Sequence, residues 1–188
     1  PADAGSIWFD GRDITHMKAA KRCRSGIARS FQIPQPFGAM SVFENALVAA
    51  TQGAGLAGAQ ANRLCLDALE QTGLLAKANT LAGNLTLLER KRLELTRALC
   101  AKPKLLLLDE IAGGLTEKEC HALVETIRAI RSTGISIIWI EHIVHALLAV
   151  VDRLVVIDFG RKIAEGEPKA IMASRQVREI YMGIEVDG

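Results

Sequence analysis

The sequence predicts an α/β protein built on a mainly parallel sheet, and three observations carry that prediction. Residues 105–108 and 135–140 are short apolar runs with the length of buried strands, and the four leucines at 105–108 predict a strand buried on both faces. Each run is followed directly by acidic or histidine side chains, which is where open α/β sheets place their chemistry. Three Ser/Thr-x-x-Glu patterns that start helices stand between and around these runs, at residues 41, 86 and 116.

Length and composition describe one globular domain with a proper core. The chain has 188 residues, 49% of them hydrophobic, and a slightly positive mean hydropathy of +0.20. Its 23 Lys and Arg against 21 Asp and Glu give a net charge of only +2. A field this weak gives no support to nucleic acid as the main partner.

The four cysteines indicate neither a zinc site nor a disulfide framework, because they are widely spaced and form no C-x-x-C pair. A reducing cytosol fits this usage best. No apolar run approaches membrane-spanning length, so we expect any membrane association to run through another protein. The sequence begins at Pro1 in mid-pattern, and we expect a preceding segment.

The first forty residues predict strands, one short helix and a shaped loop. We expect a strand that leaves through a tight turn, a basic helix capped by Thr15 and ending before Gly26, and a returning strand. Two prolines then prevent either element from continuing. The corresponding ranges are 5–9 for the first strand, 27–31 for the second and 32–37 for the loop.

The rest of the chain alternates helices with strands. The capped helices are predicted to run from 41 to about 51, from 86 to 103 and from 116 to 134, with a further helix over 60–72 after an exposed, glycine-rich insertion at 53–58. In the second capped helix we expect buried Leu93, Ala98 and Leu99 and a basic face of Arg90, Lys91, Arg92 and Arg97; in the third, buried Leu123, Ile127 and Ile130. A helix over 143–151, a hairpin over 154–165 and short helices over 168–173 and 175–181 complete the prediction.

The run of four leucines ends in Asp109 and Glu110, and this pair is the best candidate for a site. An aspartate at the end of a buried strand can hold the Mg²⁺ of a nucleotide, and the next residue can orient or deprotonate a water. A buried strand that ends in a polar turn explains the same six residues equally well. The remaining motifs decide between these two interpretations.

Gln32 in a loop after a strand, the capped helix at Thr86, LLLLDE, and His142 after the next apolar strand occur in one order. With GIARSFQIPQPF, RKRLELTRALCAKPKLLLLDE, IIWIEH and DRLVVIDFGRKIAEGEP, that order resembles the nucleotide-binding subunits of ATP-binding-cassette (ABC) transporters, and among them the ATP-binding subunits of branched-chain amino-acid importers. The resemblance implies a P-loop NTPase-like ABC domain over residues 1–188, truncated at its amino end, with a helical subdomain at about 38–100.

The resemblance also implies a role for each matching residue. Asp109 corresponds to the aspartate that binds Mg²⁺, Glu110 to the general base and Gln32 to the glutamine that reaches both metal and water. His142 corresponds to a neutral donor toward the γ-phosphate. Thr86 and Glu89, at the start of a helix, would face the ATP of a partner subunit. Taken alone, Gln32 fits a surface loop, His142 a helix cap and Thr86 a plain cap.

Two departures from the family are serious. No G-x-x-x-x-G-K-S/T loop occurs among the 188 residues, so we expect roughly 40 residues carrying the phosphate loop to precede them. Where the family has Leu-Ser-Gly-Gly-Gln, this chain has Leu-Thr-Leu-Leu-Glu at 85–89, and two leucines crowd a place where glycines allow close approach. The following G-G-L-T turn at 113–116 also ends in threonine where many relatives carry an acid.

Three functional hypotheses follow from these residues. The first is the ATPase subunit of an amino-acid importer, peripheral on the cytoplasmic face, that works with a second such subunit and two membrane permeases. The second is a degenerate subunit with a structural or regulatory role, and the third is an ABC ATPase of another system such as lipid export. In the resembled family a permease helix docks beside the loop that matches 32–37. The resemblance therefore implies docking on this loop and the helix after it, with the apolar residues Phe37, Met40 and Phe43 at the surface.

Overall fold

The structure of the protein is a computed structural model that describes residues 2–182. These residues form two compact units, one within residues 2–142 and the other within residues 143–182. The prediction of one domain with a helical subdomain at about 38–100 stays a prediction.

A three-stranded parallel sheet organises the first unit. Its strands are β3 (Ile27–Arg29), β4 (Leu105–Asp109) and β5 (Ser136–Ile140), and β4 lies between the other two. The predicted parallel sheet is therefore confirmed, with its leucine strand at the centre. Two shorter strands, β1 (Trp8–Phe9) and β2 (Arg12–Asp13), form an antiparallel hairpin around the predicted turn.

The sequence predicted that Thr15 caps the first helix, but the structure shows that it does not. Helix α1 (Ala19–Arg24) begins after Lys18. The hydroxyl of Thr15 accepts a hydrogen bond from the backbone N–H of Ile7 at 2.8 Å, and its own N–H donates to Asp13 at 2.8 Å. Thr15 thus closes the hairpin, which is a tertiary contact that a local capping pattern cannot reveal.

All three predicted capping boxes are present. They start α2 (Val42–Gln52), α4 (Leu87–Cys100) and α5 (Glu117–Ser132) at residues 41, 86 and 116. In each box the hydroxyl accepts the third residue's N–H while the glutamate accepts the cap's N–H, so two otherwise unpaired helix donors are satisfied. Helix α3 (Gly58–Gln71) has no side-chain cap and starts two residues before the predicted position.

A compact apolar cluster joins helices α2, α3 and α4. Its buried members are Val42, Leu69, Leu74, Ala82, Leu85 and Leu93, with Phe43 packed against them. The glycine-rich stretch at 53–58 is not wholly an exposed insertion. A Cβ at Gly53 would lie 2.9 Å from the Cβ of Ala101, so the backbone there passes too close to its neighbour for a side chain.

Strand β4 is buried on one face and only partly covered on the other, so the prediction of burial on both faces was wrong. Leu106 and Leu108 are 0% and 1% exposed, whereas Leu105 and Leu107 are partly exposed. In the neighbouring edge strand β5, Ile138 and Ile140 are 55% and 62% exposed. The central strand therefore anchors the sheet through alternate leucines.

Leu106→Ala should lower the free energy of unfolding of this chain by about 3 kcal/mol, because it leaves a cavity at a fully buried position. Ile138→Ala is the matched control on the adjacent strand, since its side chain is 55% exposed and should cost less than about 1 kcal/mol. Urea denaturation followed by circular dichroism measures both values. Equal losses would mean that the strand packs in another register.

The second unit is a hairpin with three helices. Its elements are α6 (Val144–Leu148), β6 (Leu154–Asp158), β7 (Arg161–Gly166), α7 (Pro168–Ala173) and α8 (Arg175–Met182). Strands β6 and β7 pair antiparallel with an irregularity at Val156 and Ile157. The predicted hairpin and final helices are confirmed, and the predicted 143–151 helix is shorter than expected. Within residues 2–182, none of the helices is long and apolar enough to cross a membrane.

Candidate functional site

Four of the predicted site residues meet at one edge of the parallel sheet. Parallel strands deliver their carboxyl ends to the same edge. Asp109 ends β4 and Glu110 follows it, Gln32 lies three residues after β3, and His142 lies two residues after β5. The sequence order of the motifs thus becomes a spatial cluster.

Glu110 is the residue that the others contact. The side-chain amide of Gln32 donates to Glu110 Oε2 at 2.5 Å, and His142 Nδ1 lies 3.7 Å from the same oxygen. The Glu110 side chain is 35% exposed, so water can reach its carboxylate. Its backbone has φ = 43°, a left-handed conformation that costs about 1 kcal/mol for a non-glycine residue and turns the chain out of the strand.

Asp109 pairs with a residue that the sequence analysis did not single out. Arg29, the last residue of β3, donates from Nη2 to Asp109 Oδ2 at 2.6 Å. The same guanidinium carbon lies 5.1 Å from the ring centroid of Phe31, a cation–π geometry. Arg29 thus neutralises Asp109 in this structure. The sequence feature that could have predicted this pair is the position of Arg29 at the end of a strand next to β4.

The oxygen atoms at this edge fit Mg²⁺ in chemical type. The ion prefers hard oxygen ligands and is commonly held by one or two carboxylates with phosphate oxygens. Asp109 supplies a carboxylate, and Gln32 has an amide oxygen left after its NH₂ group donates to Glu110. Among residues 2–182, no group of three or more His, Cys, Asp or Glu side chains could hold a metal. Water or phosphate oxygens would complete a magnesium site here, and Arg29 would have to share or release Asp109.

Lys91 is buried beneath the site, so its assignment to an exposed basic face was wrong. Its side chain is 2% exposed, and Nζ donates to the backbone oxygen of Gln32 at 3.4 Å. Burial lowers the pKa of Lys91, and the negative charges of Glu141 and Glu110 oppose that shift. The sequence did not predict the burial of Lys91, because basic residues surround it in the chain and tertiary packing decides which of them is buried.

Thr86 and Glu89 form the cap of α4. The Thr86 hydroxyl accepts from the N–H of Glu89 at 3.4 Å, and Glu89 accepts from the N–H of Thr86 at 2.9 Å. This backbone hydrogen bond, assisted by Lys77 at 3.0 Å, keeps the pKa of Glu89 below its usual value against the effect of burial. Two helix donors and both side chains are thus already engaged within the chain. A role toward a partner's ATP stays a prediction.

Leu87, one of the two leucines that stand where the family has glycines, lies beside the turn after Glu110. Leu87 is 43% exposed. A Cβ placed on Gly114, which has φ = 77°, would lie 3.3 Å from Leu87 Cδ2. The first turn of α4 and this turn are therefore close neighbours, and an alanine at 114 would suffer both backbone strain and crowding.

Comparison with known proteins assigns this architecture to a class. The family described as "ABC transporter" matches residues 1–113, more than half of the chain. A nucleotide-free ATP-binding cassette from an ABC transporter superposes with a TM-score of 0.85 and 29% identity, over 97% of this chain and 79% of that structure. The chain belongs to the ABC transporter family and is an ABC-type ATPase domain.

The chain is similar to ATP-binding proteins of two kinds of transport system. It is 31% identical to the probable branched-chain amino acid transport ATP-binding protein LivG of Archaeoglobus fulgidus, over 98% of this chain and 76% of that protein. It is 34% identical to the LivG protein of Salmonella typhimurium over 95% of this chain and 76% of that protein. It is also 30% identical to the lipopolysaccharide export system ATP-binding protein LptB of Escherichia coli, over 97% and 76% of the two chains.

Proposed function

We propose that this protein is the ATP-hydrolysing subunit of an importer for branched-chain amino acids. The observation that carries the proposal is the meeting of Gln32, Glu110 and His142, with Asp109 alongside, at the carboxyl edge of one parallel sheet. Two acids, an amide and an imidazole in this arrangement suit phosphoryl transfer to water. The relatives that are named for branched-chain amino-acid transport support this choice of substrate class.

Each residue has a defined task in this proposal. Glu110 accepts the proton of the attacking water, and Gln32 holds the Glu110 carboxylate through its amide N–H. His142 stands 3.7 Å from Glu110 and offers a ring nitrogen toward the transferred phosphoryl group. Asp109 and the Gln32 oxygen would hold Mg²⁺, which neutralises the charge that develops on the phosphate oxygens.

The assembly that follows has several subunits. We assign to it a second ABC ATPase subunit, whose ATP meets the Thr86 end of α4, and two membrane permeases. The chain would be peripheral on the cytoplasmic face of the membrane. Neither nucleic acid binding nor direct membrane insertion belongs to this proposal.

Two specific observations favour alternatives. Leu87 and Leu88 at the start of α4 put apolar side chains where close approach to a phosphate is needed, as expected in a degenerate subunit that does not turn over. The similarity to LptB keeps an export system as the other alternative.

Reconstitution of the full-length subunit with the permeases encoded next to it distinguishes an importer subunit from an exporter subunit and from a degenerate subunit. An importer subunit should hydrolyse Mg-ATP faster when a protein that binds the transported amino acid and delivers it to the permeases is added with leucine bound. Lipopolysaccharide should have no effect on its rate. A subunit that binds ATP but shows no hydrolysis under either condition would be the degenerate type. Stimulation by the lipid alone would identify an exporter.

Phe37→Asp should abolish capture of the permeases while leaving the subunit's own ATPase rate within about twofold, because exposed apolar residues carry such interfaces. Phe37 is 45% exposed, and its loop is anchored by buried Asn45, which accepts from the Phe37 N–H at 2.9 Å. Phe31 and Ile33, at 52% and 70% exposed, are further exposed apolar residues in the same part of the chain. Met40 and Phe43 are only partly exposed, so they offer less apolar area to a partner than Phe37 does.

Leu66→Asp provides the matched control for this experiment. Leu66 lies on α3 and is 44% exposed, so it receives the same change at nearly the same exposure on another surface. Pull-down with tagged permeases measures binding. If both variants bind the permeases like the parent, the 31–37 surface has no docking role.

A further inference from the structure

Glu141 follows β5 with a side chain that faces the interior. The side chain is 0% exposed. Its neighbours on either side face solvent, since Ile140 is 62% exposed and the His142 side chain 64% exposed. A fully buried carboxylate is unusual, and none of the roles assigned above uses this one.

Two backbone N–H groups and one ring nitrogen lie close to the two carboxylate oxygens of Glu141. Oε2 accepts from the backbone N–H of Ala112 at 3.0 Å, and Oε1 accepts from the backbone N–H of His142 at 3.1 Å. The Nδ1 atom of His142 lies 3.3 Å from Oε1. Ala112 belongs to the turn that Glu110 begins. In this turn the N–H of Gly113 donates to the backbone carbonyl oxygen of Glu110 at 3.2 Å.

The charge balance around Glu141 explains how a buried carboxylate is tolerated. A buried charge is costly unless it is hydrogen-bonded and faces an opposite charge. Two backbone donors meet the first requirement, and the negative charge of Glu141 acts on the buried Lys91 to favour the charged form of that lysine. One buried group thus connects the strand end that carries His142 with the turn that carries Glu110.

We propose that Glu141 is a positioning residue, which fixes the ring of His142 and the turn after Glu110 so that both present their side chains at set places. It acts through these two residues and does not touch the substrate. The proposal rests on the proposed function, because positioning matters only if Glu110 and His142 do the chemistry.

A carboxylate is required at this position because both oxygens accept hydrogen bonds. Glutamine has the same shape but only one acceptor, so its NH₂ group would point at either the Ala112 or the His142 N–H. One of those two donors is then left unpaired inside the protein. Glu141→Gln therefore tests the role of the second oxygen with almost no change in volume.

In the full-length subunit, Glu141→Gln should lower kcat about 10- to 100-fold, the range found when the group that orients a metal-bound histidine is removed, while KM for ATP stays within about twofold. The double variant with His142→Ala should lose less than the product of the two single losses, because the part of the effect that acts through the His142 ring is already gone and only the effect on the turn after Glu110 remains. Exposed Glu70 provides the matched control, and Glu70→Gln should keep the parent rate. A parent-like kcat for Glu141→Gln, or the same fold loss in the His142→Ala background, would overturn the proposal.

Amide hydrogen exchange of the 188-residue chain gives an answer that does not depend on ATPase activity. Glu141→Gln should speed exchange at Ala112 or His142 at least about tenfold, and Glu70→Gln should not. If Glu141→Gln does not fold, Glu141→Asp keeps both oxygens but withdraws them by about 1.5 Å and should show the same faster exchange. Parent-like exchange at both amides overturns the proposal, whereas faster exchange in a subunit without ATPase activity overturns the proposed function instead.

Discussion

Glu110→Gln in the full-length chain is expected to slow ATP turnover at least about 100-fold while ATP affinity changes less than about twofold. The amide keeps the shape of the side chain and can still accept the hydrogen bond that Gln32 donates. It cannot take a proton from water. Radiolabelled ATP binding and phosphate release, measured on the same preparation, separate the two steps.

Glu125→Gln is a suitable control for this substitution. Glu125 lies on α5 with 65% of its side chain exposed and pairs with Arg128, so the same chemical change falls on a solvent-exposed surface. The control should hydrolyse ATP at the parent rate. Turnover of Glu110→Gln close to that of the parent would assign the general base to another residue.

The second large effect is expected between two lengths of chain. The 188 residues contain no G-x-x-x-x-G-K-S/T sequence, whereas a chain extended upstream to include one gains backbone amides and a lysine for the β- and γ-phosphates. Removing a single such donor costs about 100- to 1,000-fold, so the short chain should be slower by more than about 1,000-fold. In practice it should release no phosphate above background.

Circular dichroism should accompany this comparison, because an unfolded short chain would also be inactive. Glu110→Gln is introduced into both lengths to identify hydrolysis that belongs to this site. Glu110-dependent phosphate release by the 188-residue chain would show that its phosphate-binding groups lie within residues 1–188.

Much of the site was predictable from sequence because the relevant signals are local. The capping boxes at Ser41, Thr86 and Thr116 each use residues three apart. Gln32 and Glu110 follow parallel strands, and that topology alone brings them together. A pattern read along the chain therefore located most of the cluster in space.

What the sequence did not predict depends on contacts between distant residues. Lys91 has the same chemical type as its partly exposed neighbours, and only the packing of α4 under the Gln32 loop buries it fully. Arg29 reaches Asp109 across 80 positions. Thr15 follows the capping rules but is used by the β1–β2 hairpin. No short-range rule distinguishes these outcomes from the alternatives.

The one-sided pairing of β5 also affects how the stability of this chain should be measured. Within residues 2–182, β5 is hydrogen-bonded to β4 alone, and its isoleucines at 138 and 140 face solvent. A strand edge of this kind can pair with the same edge of a second copy. Because association favours the folded state by mass action, the apparent melting temperature should rise with protein concentration, and unfolding should be recorded over a dilution series.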